Sequence, residues 1–152
     1  MIATMRTSFV MAACLLAAAC GNPIGPIAGG KLDGQDAAWP DDWQFSDVHE
    51  NVLLETDPTD PYSVTVWGVH AGSHFYVTAA DGDSRWVTNI YTNNEVVLSV
   101  SGRLYAASAS EVMDEEELAR VLDAYIGKYD ISPEEGTDFI EQGGVVFRLT
   151  AR

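Results

Sequence analysis

Apolar residues recur at every second position in short runs from Val52 onward, and turn residues separate these runs. Alternation of this kind is typical of β-strands with one buried face. The turns are marked by the acid- and proline-rich residues 57–61, by Gly72 and by Gly102. The pattern predicts strands at residues 52–56, 63–70, 74–79, 95–101, 103–112 and 144–150.

One segment has helical spacing instead of alternation. It opens at Asp114, with Glu117 three residues later and three acidic residues in the first turn, which is typical of a capped helix start. The apolar residues that follow form one stripe at helical spacing: Leu118, Val121, Leu122, Tyr125, Ile126 and Tyr129. We expect this stripe to pack on the sheet. The order of elements predicts a mainly β fold with one or two helices, an antiparallel sheet or small barrel with a helix packed across it.

The first residues have the composition of a signal peptide. Residues 1–6 carry one positive charge, at Arg6, and residues 7–19 are an uninterrupted apolar and small-residue run. The run is too short to span a bilayer core of roughly 30 Å as a permanent helix. It ends in three alanines followed by Cys20 and Gly21, which resembles the lipobox of bacterial lipoproteins. The resemblance implies cleavage before Cys20, a lipid on that cysteine, and a membrane as partner through the lipid.

Two alternatives stay open at this end of the chain. An ordinary cleaved signal peptide followed by an incidental cysteine has the same composition, and Cys14 is a weaker candidate for lipidation because it leaves a very short apolar segment. By resemblance to enterobacterial sorting rules, Gly21 in place of an aspartate implies the outer membrane. The expected location is therefore the cell envelope, lipid-anchored and facing the periplasm.

The predicted organisation has three parts. Residues 1–19 are the signal peptide, and residues 20–38 are the lipidated cysteine with a tether rich in glycine and proline. Residues 39–152 are the domain. Its start is placed near Trp39 because three aromatic residues between positions 39 and 45 normally pack onto a folded body.

Charge and cysteine usage exclude several functions. The chain has 8 basic and 23 acidic residues, a formal charge of -15. Removal of the signal peptide takes away Arg6, the one charged side chain in it, and makes the mature chain more negative by one. Nucleic acid is not an expected partner, because its phosphates would be repelled. Cys14 leaves with the signal peptide and Cys20 carries the lipid, so disulfides and thiol catalysis are excluded as well.

Three runs in the middle of the domain resemble a known family. They are Phe-Tyr-Val-Thr at 75–78, Ser-Arg-Trp-Val-Thr-Asn-Ile at 84–90 and Asn-Asn-Glu-Val-Val-Leu at 93–98. These runs are similar to the flavin-binding split barrels of the pyridoxamine phosphate oxidase superfamily and to their deazaflavin-dependent nitroreductase relatives. The similarity covers residues 52–152 and implies an antiparallel split β-barrel. Split barrels of this type often form homodimers with the cofactor at the interface, so a homodimer is a further expectation.

The resemblance also implies a site for FMN or a deazaflavin. Hydroxyl groups and a guanidinium would hold the phosphate, two tryptophans would flank the ring system, and an asparagine occupies a matching family position. The candidate cofactor-binding residues are Trp67, Thr78, Ser84, Arg85, Trp86 and Asn89.

This sequence departs from the family pattern where the phosphate would bind. Trp86 stands where the oxidases carry a second basic residue. Asp81 and Asp83 place two carboxylates beside the expected anion site, and the loop at residues 57–61 lacks the lysine of the deazaflavin relatives. These differences weigh against a bound flavin or deazaflavin.

Three functions of different classes remain. The first is a cell-envelope lipoprotein whose split-barrel domain has a binding or accessory role without chemistry, for an unidentified ligand. The second is a flavin- or deazaflavin-dependent oxidoreductase of small molecules, and the third is a structural or assembly role through the acidic surface. The missing basic residues favour the first, while enzymatic activity stays open.

No metal site is predicted. His70 and His74 bracket a hairpin turn, and Asp81 and Asp83 lie in an acidic turn. Neither pair has the further ligands that a zinc or calcium site needs. Both turns are predicted to be solvated.

Overall fold

The computed structural model describes residues 21–152, so the predicted signal peptide at 1–19 and the lipidation site Cys20 lie outside the described residues. The strands are β1 Gln35–Asp36, β2 Val52–Thr56, β3 Tyr62–Val66, β4 Gly68–Ala71, β5 His74–Ala79, β6 Glu95–Val100, β7 Arg103–Glu111 and β8 Val145–Ala151. The helices are α1 Arg85–Thr92, α2 Glu115–Tyr129 and α3 Pro133–Glu141, with a short 3-10 helix at Gln44–Ser46.

Seven strands form one antiparallel sheet in the order β3-β2-β6-β7-β8-β5-β4, while β1 pairs with β7 in parallel. The sheet curls into a half barrel with the helices packed against it. The predicted mainly β, antiparallel split-barrel fold is therefore confirmed.

The predicted strand at 63–70 is broken at Trp67. β3 and β4 lie at opposite ends of the strand order although Trp67 alone separates them in the chain, so the chain crosses between the two ends of the sheet at this residue. A Cβ on Gly68 would lie 2.7 Å from the Phe75 ring and 2.9 Å from Val52. The crossing is tight enough to need glycine.

The prediction of one or two helices was too low, because the described residues form three. The predicted helix is α2, and the Asp114 side chain accepts a hydrogen bond from the Glu117 N–H at 2.8 Å, as its capped start required. The unpredicted α1 buries Trp86, Val87 and Ile90 against the barrel.

Two apolar cores lie on the two faces of the sheet. The larger core fills the half barrel and includes α1 and Trp43. The smaller core lies between the outer face of the sheet and α2, where Val121 and Tyr125 pack with Tyr76. The apolar stripe of α2 is therefore core, as predicted.

The segment predicted as a tether is bound to the barrel. Gly29 and Ser63 exchange backbone hydrogen bonds of 2.9 and 3.0 Å, and the Leu32 N–H donates to the Glu55 carboxylate. Leu32 is buried, and β1 extends the contact to β7. The folded part therefore begins well before Trp39, because the glycines let this segment lie close to the sheet.

Candidate functional site

A cavity of about 630 Å³ opens beside the crossing from β3 to β4. Its walls come from the ends of β3 and β5, from the start of α1, and from α2 and α3. The cavity therefore lies between the strand ends with α1 on one side and α2 with α3 on the other, and it is partly open to solvent.

Two rings that line the cavity, Trp67 and Tyr125, belong to an aromatic stack. Trp67 lies parallel to the Tyr129 ring at 4.3 Å, and Tyr129 in turn stacks on Tyr125 at 5.6 Å. The Tyr125 hydroxyl lies 3.2 Å from the Trp67 carbonyl oxygen. Trp67 is 41% exposed, which leaves its outer face available to a ligand.

The C-terminal end of α2 is attached to the crossing by polar contacts. The Tyr129 hydroxyl accepts a hydrogen bond from the Gly68 N–H at 3.0 Å, and the Lys128 ammonium donates to the carbonyl oxygens of Gly68 at 2.7 Å and Ser46 at 3.1 Å. Burial lowers the pKa of Lys128. This ammonium is bound to carbonyl oxygens and does not line the cavity.

The opposite wall comes from α1 and the loop before it. Trp86 packs against Phe147 with ring centroids 5.8 Å apart. Ser84 is the residue before the first turn of α1, and its hydroxyl oxygen is buried without a hydrogen-bond partner. The cavity thus has few polar side chains, and they are the hydroxyls of Thr65, Thr78 and Ser84 with the carboxylates of Asp81 and Glu135.

Four of the six predicted cofactor-binding residues line this cavity: Trp67, Thr78, Ser84 and Trp86. Arg85 and Asn89 do not. The Arg85 guanidinium lies 4.3 Å above the Tyr62 ring and 3.4 Å from the Asp60 carboxylate. The Asn89 amide donates to the Thr56 hydroxyl at 2.9 Å.

Helix geometry explains this division. Arg85 and Asn89 are four residues apart and therefore lie on one face of α1. Trp86 and Ile90 are also four residues apart and lie together on the adjacent face. The first face meets β2 and β3, whereas the second face meets the core and the cavity. The sequence resemblance pointed to residues 84–90 as part of the site, but it could not show which side chains of α1 face the cavity.

Several cavity residues that the prediction missed lie on α2, on α3 or in the loop between them. They include Leu122 on α2, Ile131 in the loop, and Gly136 and Phe139 on α3. A signal for α3 is present in the sequence, since Ser132 and Glu135 form a reciprocal capping box with proline at the first helical position.

The residues of this chain do not fit the phosphate of FMN or a deazaflavin. A phosphate in a protein is typically held by Arg or Lys, and the described residues that line the cavity include neither. Asp81 and Glu135 add carboxylates, and Arg85 is paired elsewhere. The departures noted in the sequence therefore coincide with a cavity that has no cationic side chain.

Neither histidine of the β4–β5 hairpin belongs to a metal cluster. His70 pairs with the Asp47 carboxylate at 3.1 Å. Residues 21–152 contain no group of three or more His, Cys, Asp or Glu placed to hold a metal ion. They also contain no helix long and apolar enough to cross a membrane.

A polar cluster outside the cavity connects α2 to the sheet. The Arg148 guanidinium donates to both Glu117 carboxylate oxygens at 3.0 Å, and the Tyr76 hydroxyl donates to one of them at 2.9 Å. Burial and this hydrogen bond raise the pKa of Tyr76 to about 12. Burial also raises the pKa of Tyr125 and of Tyr129.

Alkaline pH is therefore expected to destabilise the protein through these tyrosines. A hydroxyl whose pKa is raised in the folded state stabilises the fold fully below its ordinary pKa of 10.0, and this contribution is lost as the pH rises toward 12. Unfolding followed by circular dichroism should coincide with tyrosinate absorbance in this window. Tyr76→Phe should make the loss of stability with pH shallower. Tyrosinate absorbance at pH 10 that the folded unchanged protein shows and folded Tyr76→Phe lacks would contradict the expectation.

Several solved structures share this fold, although no protein-family model and no curated protein matches the sequence. The heme storage protein HutZ from Vibrio cholerae is 17% identical, with 72% of this chain and 86% of its own covered and a TM-score of 0.58. A conserved hypothetical protein from Mycobacterium tuberculosis is 18% identical, with 71% and 76% covered and a TM-score of 0.57.

A third structure, an F420-H2 dependent reductase, is 16% identical, with 67% of this chain and 95% of its own covered and a TM-score of 0.54. These three structures share with this chain an antiparallel split β-barrel fold. At this level of identity the comparison confirms the fold that the sequence resemblance implied.

Proposed function

We propose that the mature chain is a lipid-anchored protein of the cell envelope that binds a small apolar molecule without negative charge in the cavity beside Trp67. One observation carries the proposal. The cavity is lined mainly by aromatic and aliphatic side chains, its charged side chains are the carboxylates of Asp81 and Glu135, and none of the described lining residues is basic. The role is binding, and it uses no chemistry of the chain's own residues.

The dimensions of the cavity suit such a ligand. Small-molecule sites usually measure about 300–1,000 Å³ and are mostly apolar, with few polar groups to fix orientation. The hydroxyls of Thr78 and Ser84 can supply those polar contacts. An anionic ligand would have to approach Asp81 and Glu135, and like charges in a partly enclosed site oppose binding.

The second candidate is a flavin- or deazaflavin-dependent oxidoreductase of small molecules. The barrel shared with the F420-H2 dependent reductase favours it, whereas the absence of basic residues from the described lining weighs against it. Protein purified from its native host separates the two candidates. A stoichiometric yellow chromophore would support the oxidoreductase and contradict a binding role without chemistry.

Two fluorescent probes with one skeleton test the charge preference. N-phenylnaphthylamine is neutral, while anilinonaphthalene sulfonate carries a sulfonate on the same ring system. The neutral probe should bind at least about tenfold more tightly, which corresponds to about 1.4 kcal/mol. Equal or tighter binding of the sulfonate would contradict the proposed ligand class.

A pair of glycine variants tests the location of the bound probe. Gly136 lines the cavity, and a Cβ there meets only the end of Ile126 at 3.6 Å, so Gly136→Leu adds volume at the cavity wall from a Cβ that has no backbone atom close to it. Gly127 lies on α2 with nothing within 4 Å of its Cβ position, which makes Gly127→Leu a matched control. Gly136→Leu should weaken binding of the neutral probe at least about tenfold, and Gly127→Leu should leave it unchanged. Similar affinities in both variants would place the probe elsewhere.

A further inference from the structure

The chain next to the proposed anchor is folded onto the barrel. The Gly21 carbonyl oxygen accepts a hydrogen bond from the Gly30 N–H at 2.9 Å, and the Asn22 side chain accepts one from the Asp33 N–H at 2.8 Å. Gly29 is in turn bound to Ser63 of β3. A lipid on Cys20 would therefore be one peptide bond away from residues that are fixed to the domain.

Residues 24–27 of this segment form a tight turn. Ile24 and Ile27 exchange two backbone hydrogen bonds of 3.0 Å each, and Gly25 at φ +55° allows the turn. Their side chains are 76% and 66% exposed. Two large apolar side chains are thus presented to the outside on a hydrogen-bonded support.

The sequence around this turn differs in charge from the rest of the chain. Residues 21–30 contain no acidic and no basic residue, in a chain with 23 acidic residues. Two other exposed apolar side chains adjoin an acidic residue: Val48, 82% exposed, lies beside Asp47, and Met113, 78% exposed, lies beside Asp114. The turn is therefore an uncharged apolar surface on an acidic protein.

We propose that the turn formed by residues 24–27 seats on the bilayer surface and holds the domain directly against the membrane, with no flexible spacer between lipid and barrel. The inference rests on the lipid anchor of the proposed function. Ile24 is four positions after Cys20, a reach of at most about 14 Å. The headgroup layer on each side of the hydrocarbon core is about 5–8 Å thick. A lipidated Cys20 thus leaves both isoleucine side chains within reach of the level where apolar groups leave water.

Site-specific labels test this seating. The mature lipidated protein has no other free thiol, so Ile27→Cys and Val48→Cys can each be labelled with one thiol-reactive fluorophore. Both lipidated variants are reconstituted in phosphatidylcholine vesicles and exposed to aqueous iodide. Quenching of the label at 27 should be at least about fivefold weaker than at 48, because iodide is excluded from the headgroup boundary. Pro26→Cys, also on the exposed turn, serves as a second label position should Ile27→Cys fail to fold.

The mass of each purified variant shows whether Cys20 is lipidated, and it therefore distinguishes a failure of the lipid anchor from a failure of the membrane seating. If the mass shows a lipidated Cys20 and the turn labels are quenched as strongly as the label at 48, the seating is overturned while the anchor stands. If the mass shows no lipid, the anchor and the seating that depends on it are both overturned.

Discussion

Replacing Trp43 by alanine is expected to lower the free energy of unfolding by about 3–5 kcal/mol. Trp43 has no exposed surface, and its ring centroid lies 4.7 Å from Phe75, 4.9 Å from Trp39 and 5.0 Å from Tyr105. The substitution would leave a large cavity among rigid aromatic rings that cannot collapse into it. Urea unfolding followed by circular dichroism measures the loss.

Phe45→Ala is the matched control for this prediction. Phe45 stacks on Trp43 at 5.6 Å, but it is 41% exposed and leaves no enclosed space when shortened. It should cost about 1 kcal/mol or less. Trp43→Phe should cost less than Trp43→Ala, since it keeps an aromatic ring and removes an indole N–H that has no hydrogen-bond partner. A loss for Trp43→Ala no larger than that for Phe45→Ala would contradict the central packing role of Trp43.

The alternating pattern was enough to predict the sheet but not α1. Val87, Thr88, Ile90 and Thr92 are β-branched and favour strands, so local preference indicated no helix for this stretch. The helix forms because helical spacing buries Trp86 and the β-branched Val87 and Ile90 together in the core. Tertiary burial outweighs local propensity here, and it is not visible in a single sequence.

The N-terminal segment shows a second kind of structure that amino-acid composition alone does not predict. Glycine and proline predict flexibility when partners are unknown, and the partners of this segment are distant in the chain: Ser63 for Gly29 and Glu55 for Leu32. The cavity was predictable in the same partial way. The resemblance placed Trp67 and Trp86 near one another, but the helical side of the cavity required the arrangement of α2 and α3.

Cys20→Ser is expected to abolish attachment of fatty acid to the protein. The lipobox resemblance places the modified thiol at Cys20, and serine has no thiol to receive the lipid. Cys14→Ser is the matched control, because it removes the other cysteine of the chain from the same N-terminal stretch and should leave lipidation unchanged. Incorporation of a labelled fatty acid into the immunoprecipitated protein measures both variants.

The same experiment decides among the interpretations that the sequence left open. Loss of the fatty-acid label in Cys14→Ser with retention in Cys20→Ser would assign the lipid to Cys14. No label in the unchanged protein would indicate an ordinary signal peptide. The expected result has a structural consequence as well. Each buried CH₂ group of an acyl chain contributes about 0.8 kcal/mol, so the lipid dominates membrane attachment. Ile24 and Ile27 would then set how the barrel is oriented on the bilayer, and with it the direction in which the cavity beside Trp67 opens.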